Sequence, residues 1–384
     1  MPHFVIIGCG QAGSSLAAKL RSCGFTGRIT MVGEEAMLPY QRPPLSKKYL
    51  LGQMDAEQLL LRPQAFYEEN EITLLTNAKA TQIDRSGQTV RVGGENIAYN
   101  KLALTTGSRA VRLPAAQGGE LENVYTVRTL ADIDRMNHQF VEGRRLLVVG
   151  GGYIGLEAAA VAAARGLKVT LIEKSERILQ RVAAKQTSDF FRQLHQGHGV
   201  KILEGVGVET LEGDEKVQSA ILEDGSTLEV DFAIIGIGIR PEVTLADEAG
   251  LQIENGIWTD ENGRTSDPTI WAAGDCASFE YRGERIRLES VPHAVEHAEC
   301  VAQNMLGANK TYVARPWFWS DQYNIKLQIA GLNHGYDSVV TQLGKREGSQ
   351  SFWYYRKNEL LAVDAINDPK AYMTGRKLIE SADG

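Results

Sequence analysis

Cysteine is scarce in this chain. Cys9, Cys23, Cys276 and Cys300 are its only four, scattered over 384 residues with no short paired spacing. That usage argues against a disulfide framework and against a zinc site, and no other metal site is expected; it suits a reducing, cytoplasmic compartment. No apolar run approaches the ~20 residues that a membrane-spanning helix needs. No basic, cleavable leader is expected ahead of the first apolar strand. No lysine-arginine run offsets the net charge of −7, so a phosphate backbone would be repelled and a nucleic-acid partner is not expected. No low-complexity tail appears, and 43% apolar with 23% charged residues is the balance of an ordinary globular protein. A chain this long is expected to form two or three domains rather than one core.

What the sequence does contain is a repeat. A short apolar strand, Phe4-Val5-Ile6-Ile7, runs through Gly8-Cys9-Gly10-Gln11-Ala12-Gly13 into a helix of small residues. Residues 146–149 do the same, through Gly150-Gly151-Gly152-Tyr153-Ile154-Gly155 into an alanine-rich helix. Gly24 and Gly166 can end the two helices, and strands at 29–32 and 169–172 follow. In each loop the spacing is that of a dinucleotide fingerprint. The glycines allow a tight turn and let backbone approach a pyrophosphate, while the helix N-terminus offers unpaired N–H groups to its charge. Glu34, with Glu35 beside it, and Glu173 stand where an acid would accept ribose hydroxyls. Glu173 makes the second site one for NAD(H), although Lys174 and Arg177 nearby leave a 2′-phosphate open. Two fingerprints point to two dinucleotides, and hydride chemistry gives a reason to hold a flavin beside a nicotinamide.

Punctuation along the chain predicts its organisation. Boundaries near 113–119 and 238–241 give a discontinuous first domain, 1–110 with 238–315, and a second, 111–237, inserted within it. From residue 316 the texture changes to strands at 325–329, 338–343, 351–355 and 360–365 with one short terminal helix, an α+β domain of 316–384. The expected class is α/β, with two Rossmann-like domains and a C-terminal α+β domain.

Between and after the fingerprints stand Tyr40-Gln41-Arg42-Pro43-Pro44-Leu45-Ser46-Lys47, Thr105-Thr106-Gly107 and Ile270-Trp271-Ala272-Ala273-Gly274-Asp275. Further on come Glu289-Ser290-Val291-Pro292-His293-Ala294 and Pro316-Trp317-Phe318-Trp319-Ser320-Asp321-Gln322-Tyr323. With these the chain resembles, over nearly its whole length, the FAD-dependent NADH:ferredoxin reductases of bacterial oxygenase systems, the family of putidaredoxin reductase, biphenyl dioxygenase reductase and rubredoxin reductase. The resemblance implies that FAD is held by Gly8, Gly10, Gly13, Glu34, Arg42, Lys47, Thr106, Gly107, Asp275, Val291 and Trp319. It implies that NADH is held by Gly150, Gly152, Tyr153, Ile154, Gly155, Glu173 and Gly238. Lys47, Glu157 and Trp319 would then work at the reacting rings: Lys47 against the flavin edge, Glu157 pairing with Lys47, and Trp319 stacking on a flat ring. His293 is left open, either close to the flavin or as a cap of the helix that follows.

Disulfide reductases of this fold pass hydride through a pair of cysteines, and no such pair is apparent. Bound flavin would therefore deliver electrons directly to an external acceptor. The expected partner is a [2Fe–2S] ferredoxin or rubredoxin that serves a Rieske dioxygenase or a haem monooxygenase. Such an acidic protein would be steered by basic residues such as Lys345-Arg346, Arg356-Lys357 or Arg282, Arg285 and Arg287. Two alternatives are a reductase of small acceptors and a redox-sensing flavoprotein akin to apoptosis-inducing factor.

Overall fold

The strand His3–Ile7 is apolar from Phe4 to Ile7, and all five of its residues are buried. An unbroken apolar run is what a parallel strand covered on both faces requires. In the computed structural model, which describes residues 1–382, this strand is the centre of a five-stranded sheet. The order is Ile270–Ala272, Lys101–Leu104, His3–Ile7, Arg28–Val32 and Ile72–Leu75, with every neighbour parallel. Helices Gln11–Ser22 and Val291–Met305 pack on it through small and branched residues. Leu16, Ala17, Leu20, Ala294, Ala298, Val301, Ala302 and Met305 share one core. Each fully buried leucine there contributes about 2 kcal/mol of burial free energy. These elements belong to a unit made of Met1–Gln41, Ala56–Arg109 and Arg240–Pro316.

The other unit joins Arg42–Asp55, Ala110–Ile239 and Trp317–Gly384. Its parallel sheet repeats the first one's logic. The strand Arg145–Val149 lies between Lys168–Glu173 and Phe232–Ile235, as His3–Ile7 lies between Arg28–Val32 and Lys101–Leu104. Lys201–Glu204 and Val124–Tyr125 form its edges. The alanine-rich helix Tyr153–Ala164 is buried continuously from Gly155 to Ala162, so its small side chains are what let it lie close to its neighbours.

The C-terminal residues form an antiparallel sheet, ordered Trp317–Gln322, Ile325–Gly331, Glu359–Ile366, Gln350–Arg356 and Ser338–Leu343. Two features differ from the sequence-based expectation. Trp317–Gln322 is a full edge strand, joined to the next by the two-residue turn Tyr323-Asn324. The terminal helix is not short: Pro369–Ala382 spans 14 residues, with Ala371, Tyr372 and Ile379 buried against Val363 and Ala365. Among the described residues no helix is long and apolar enough to cross a membrane.

Candidate functional site

In the first unit the fingerprint loop leaves the C-terminal end of the central strand, where Gly8 N donates to Val32 O. Gly8 has φ +117, and a Cβ there would come within 2.1 Å of the Thr105 carbonyl oxygen. A Cβ on Gly13 would meet Gly8 O at 2.0 Å. Gly10 differs: its φ is −87 and nothing lies within 4 Å of an added Cβ. The outer glycines are thus demanded by packing, and the middle one by nothing inside the protein. Space over the uncapped N-terminus of helix Gln11–Ser22 is what a pyrophosphate needs, so these residues fit a bound dinucleotide.

Around this loop, Thr105 Oγ1 donates to Gly8 O, tying the loop to the adjoining strand. Thr106 Oγ1 donates to Glu242 O, and Gly107 has φ +69. Ser108 Oγ lies 2.9 Å from Asp275 Oδ2, and Arg287 donates to the Asp275 carbonyl. Glu34 is exposed just past the second strand, paired with Arg109 at 2.9 Å and Lys79 at 3.5 Å. Val291 opens the helix Val291–Met305, whose cap is Ser290: its Oγ accepts from His293 N. His293 is therefore not the cap. Its ring is buried, its Nδ1 lies 2.8 Å from the Tyr312 hydroxyl, and burial pushes its pKa down to about 3.

The second loop follows the same rule. A Cβ on Gly150 would meet Gly236 O at 2.4 Å, and one on Gly155 would meet Gly150 O at 2.1 Å, while Gly152 again has nothing within 4 Å. Glu173 closes the loop, its Oε2 accepting from Gly151 N and its Oε1 from Ser175 N, both at 2.8 Å. Gly238, with φ +113, accepts from Val111 N. Ile154 is exposed on the first helical turn, and Tyr153 packs edge-on against Phe318. The cations that left NADP open are engaged locally. Lys174 pairs with Glu223, and Arg177 bonds to Ser188 Oγ and Gln180 O.

In the same unit, the segment Arg42–Asp55 brings Lys47 to Glu157, 110 residues further along the sequence. Lys47 Nζ lies 2.8 Å from Glu157 Oε2, and both side chains are largely buried. Glu157 also accepts from Ser46 Oγ at 2.6 Å and, on Oε1, from Ser320 Oγ at 2.7 Å. Buried carboxylate oxygens need such donors to replace the water they lose. Nothing in the sequence marks Ser46 and Ser320 for this role, because serine is too common to signal a partner so far away. Arg42 donates to Arg128 O, and Trp319 is half-buried with its ring 5.8 Å from that of Trp317.

All four cysteines are free thiols. Burial pushes Cys9 up to about 12 and also raises Cys276 and Cys300, so none of these three is poised as a thiolate. Of the basic residues proposed for docking, Arg285 and Arg287 are mostly buried and pair with Glu254 and Glu289, which removes them from a free surface patch.

The pyridine nucleotide-disulphide oxidoreductase family model matches residues 2–298, and a reductase C-terminal model matches 317–383. Putidaredoxin reductase from Pseudomonas putida is 40% identical over 98% of this chain and 91% of its own length. A rubredoxin-NAD(+) reductase from the same organism is 36% identical over 95% of this chain and 96% of its own. The solved covalent complex of putidaredoxin reductase with putidaredoxin matches with a TM-score of 0.95 and 40% identity, covering 99% of this chain and 93% of that one. The chain is therefore a flavin- and nicotinamide-dependent oxidoreductase and belongs to the pyridine nucleotide-disulphide oxidoreductase family.

Proposed function

We propose that this protein is a cytoplasmic FAD-containing reductase that oxidises NADH and passes single electrons to a [2Fe–2S] ferredoxin or a rubredoxin serving an oxygenase. The observation that carries the acceptor is the match to putidaredoxin reductase over 98% of the chain, a relative also solved in covalent complex with putidaredoxin. Bound FAD supplies the change from a two-electron hydride donor to one-electron release.

The chain's own residues bind, orient and set charge. Gly8, Gly10 and Gly13 with the helix start Gln11 would hold the FAD pyrophosphate and Glu34 its ribose, with Thr106, Gly107, Asp275 and Val291 completing that site; Arg42 would offer FAD a cation. Gly150, Gly152, Tyr153, Ile154, Gly155 and Gly238 hold NADH. Glu173 selects it over NADPH, since a carboxylate beside the adenosine ribose repels a 2′-phosphate and the neighbouring cations are already engaged. Lys47 would bring its amino group to the reacting rings, oriented by Glu157, and Trp319 would supply a flat face.

Anaerobic stopped-flow mixing tests this. NADH should bleach the flavin rapidly and NADPH slowly, and an added ferredoxin or rubredoxin should then be reduced. Lys47→Met should slow the bleaching at saturating NADH by at least about tenfold, the equivalent of ~1.4 kcal/mol. Rapid bleaching with no reduction of any iron–sulfur acceptor would instead assign the enzyme to small acceptors or to redox sensing.

A further inference from the structure

Glu157 is the end of a longer buried chain of hydrogen bonds. Ser320 Oγ donates to Glu157 Oε1 at 2.7 Å and lies 3.2 Å from Gln322 Nε2. Gln322 Oε1 lies 2.7 Å from His195 Nε2, and His195 Nδ1 lies 3.3 Å from the Tyr323 hydroxyl. Ser320, Gln322 and His195 are each at most 1% exposed. Every direction along the chain is forced. The Glu157 carboxylate, paired with Lys47, can only accept, so it takes the Ser320 proton. Ser320 must then accept from the Gln322 amide, which leaves the Gln322 oxygen towards His195. His195 must therefore carry its proton on Nε2 and accept the Tyr323 proton on Nδ1. A neutral ring is consistent with burial, which pushes the His195 pKa down to about 4.

The far end is held at a cost. Tyr323 has φ +54 in the two-residue turn after Trp317–Gln322, a conformation that favours glycine over an aromatic residue. It keeps the hydroxyl at His195 and stacks the ring on His198, with centroids 3.7 Å apart. Each of the neutral members has a partner supplied by an element distant in sequence.

We propose that His195, Gln322 and Ser320 are positioning residues that aim Glu157, and through it Lys47, from the helix Lys185–Gly197 and the edge strand Trp317–Gln322. The inference rests on the reductase reading for its kinetic consequence, but not for the chain itself. Removing one member leaves its neighbour's buried donor or acceptor unpaired and frees Glu157 to rotate away from Lys47.

The test uses the FAD-loaded protein. Ring 15N NMR should show His195, assigned by its loss in His195→Gln, as the neutral Nε2–H tautomer at pH 7; an Nδ1–H or charged ring would overturn the chain. In anaerobic stopped flow, Gln322→Leu, Ser320→Ala and His195→Leu should each lower the limiting rate of flavin bleaching by about tenfold while the NADH Kd changes little. Ser320→Thr and His195→Gln, which restore a hydroxyl and a donor, should recover most of that rate. Conservative and disruptive variants with equal rates would sink the proposal. If Lys47→Met slows bleaching and Gln322→Leu does not, the chain fails and the reductase reading stands. If NADH does not bleach the unsubstituted protein, the reductase reading fails whatever the tautomer shows.

Discussion

At single residues, the two fingerprint loops separate glycines required by packing from glycines that nothing inside the protein requires. Gly155→Ala would drive a methyl to 2.1 Å from Gly150 O, against backbone that cannot yield cheaply, and should cost several kcal/mol of stability, roughly 3 or more. Gly152→Ala meets nothing within 4 Å and has an ordinary φ of −78, so the fold should tolerate it within about 0.5 kcal/mol. Its NADH affinity should nevertheless fall by about tenfold or more, because the methyl occupies the approach to the helix N-terminus. Thermal unfolding without nucleotide, set beside NADH titration, checks both. Equal loss of stability in the two variants would refute the distinction. The glycine spacing was legible in the sequence because three small residues at fixed offsets leave a pattern. The partners of Glu157 were not, because Ser46 and Ser320 reach it only through tertiary structure.

Among the secondary-structure elements, parallel strands such as His3–Ile7 and Arg145–Val149 announced themselves by unbroken apolar runs. Trp317–Gln322 did not, because its aromatic and polar residues follow no simple alternation: Ser320 and Gln322 are turned inward to a polar chain instead of a core. The strand Glu359–Ile366 carries a second buried polar group, Asp364. Its Oδ2 accepts from Thr187 at 2.7 Å and from Tyr354, while Oδ1 has no partner among the described residues. Burial raises its pKa to about 6 from 3.8. The native state therefore binds this proton more tightly than the unfolded chain does. The stabilisation from that proton is complete below about pH 4 and is lost as the pH rises through 6, about 3 kcal/mol in all. Asp364→Asn keeps an acceptor without the charge, so its stability relative to the unsubstituted protein should climb between pH 4 and 6 and level off above. Denaturant unfolding at several pH values measures this, and a difference that does not vary with pH would disprove the assignment.

For the whole molecule, a net charge of −7 opposes an acidic electron acceptor unless local positive charge guides it. Lys345-Arg346 and Arg356-Lys357 are exposed, but they flank the two ends of the seven-residue strand Gln350–Arg356. That strand holds them about 20 Å apart. The separation exceeds the ~8 Å screening length at physiological salt, so the pairs cannot act as one patch. Reversing both charges at one end, Lys345→Glu with Arg346→Glu or Arg356→Glu with Lys357→Glu, should therefore not give matching effects. One pair should slow acceptor reduction by about tenfold or more at low salt, and the other by much less. Raising ionic strength should erase that difference while flavin bleaching by NADH stays nearly constant, because the reacting rings are reached by a small nucleotide rather than by a docked protein. Equal effects of the two reversals would move the docking surface away from this strand, and equal salt sensitivity of bleaching and acceptor reduction would remove electrostatic steering from the mechanism altogether.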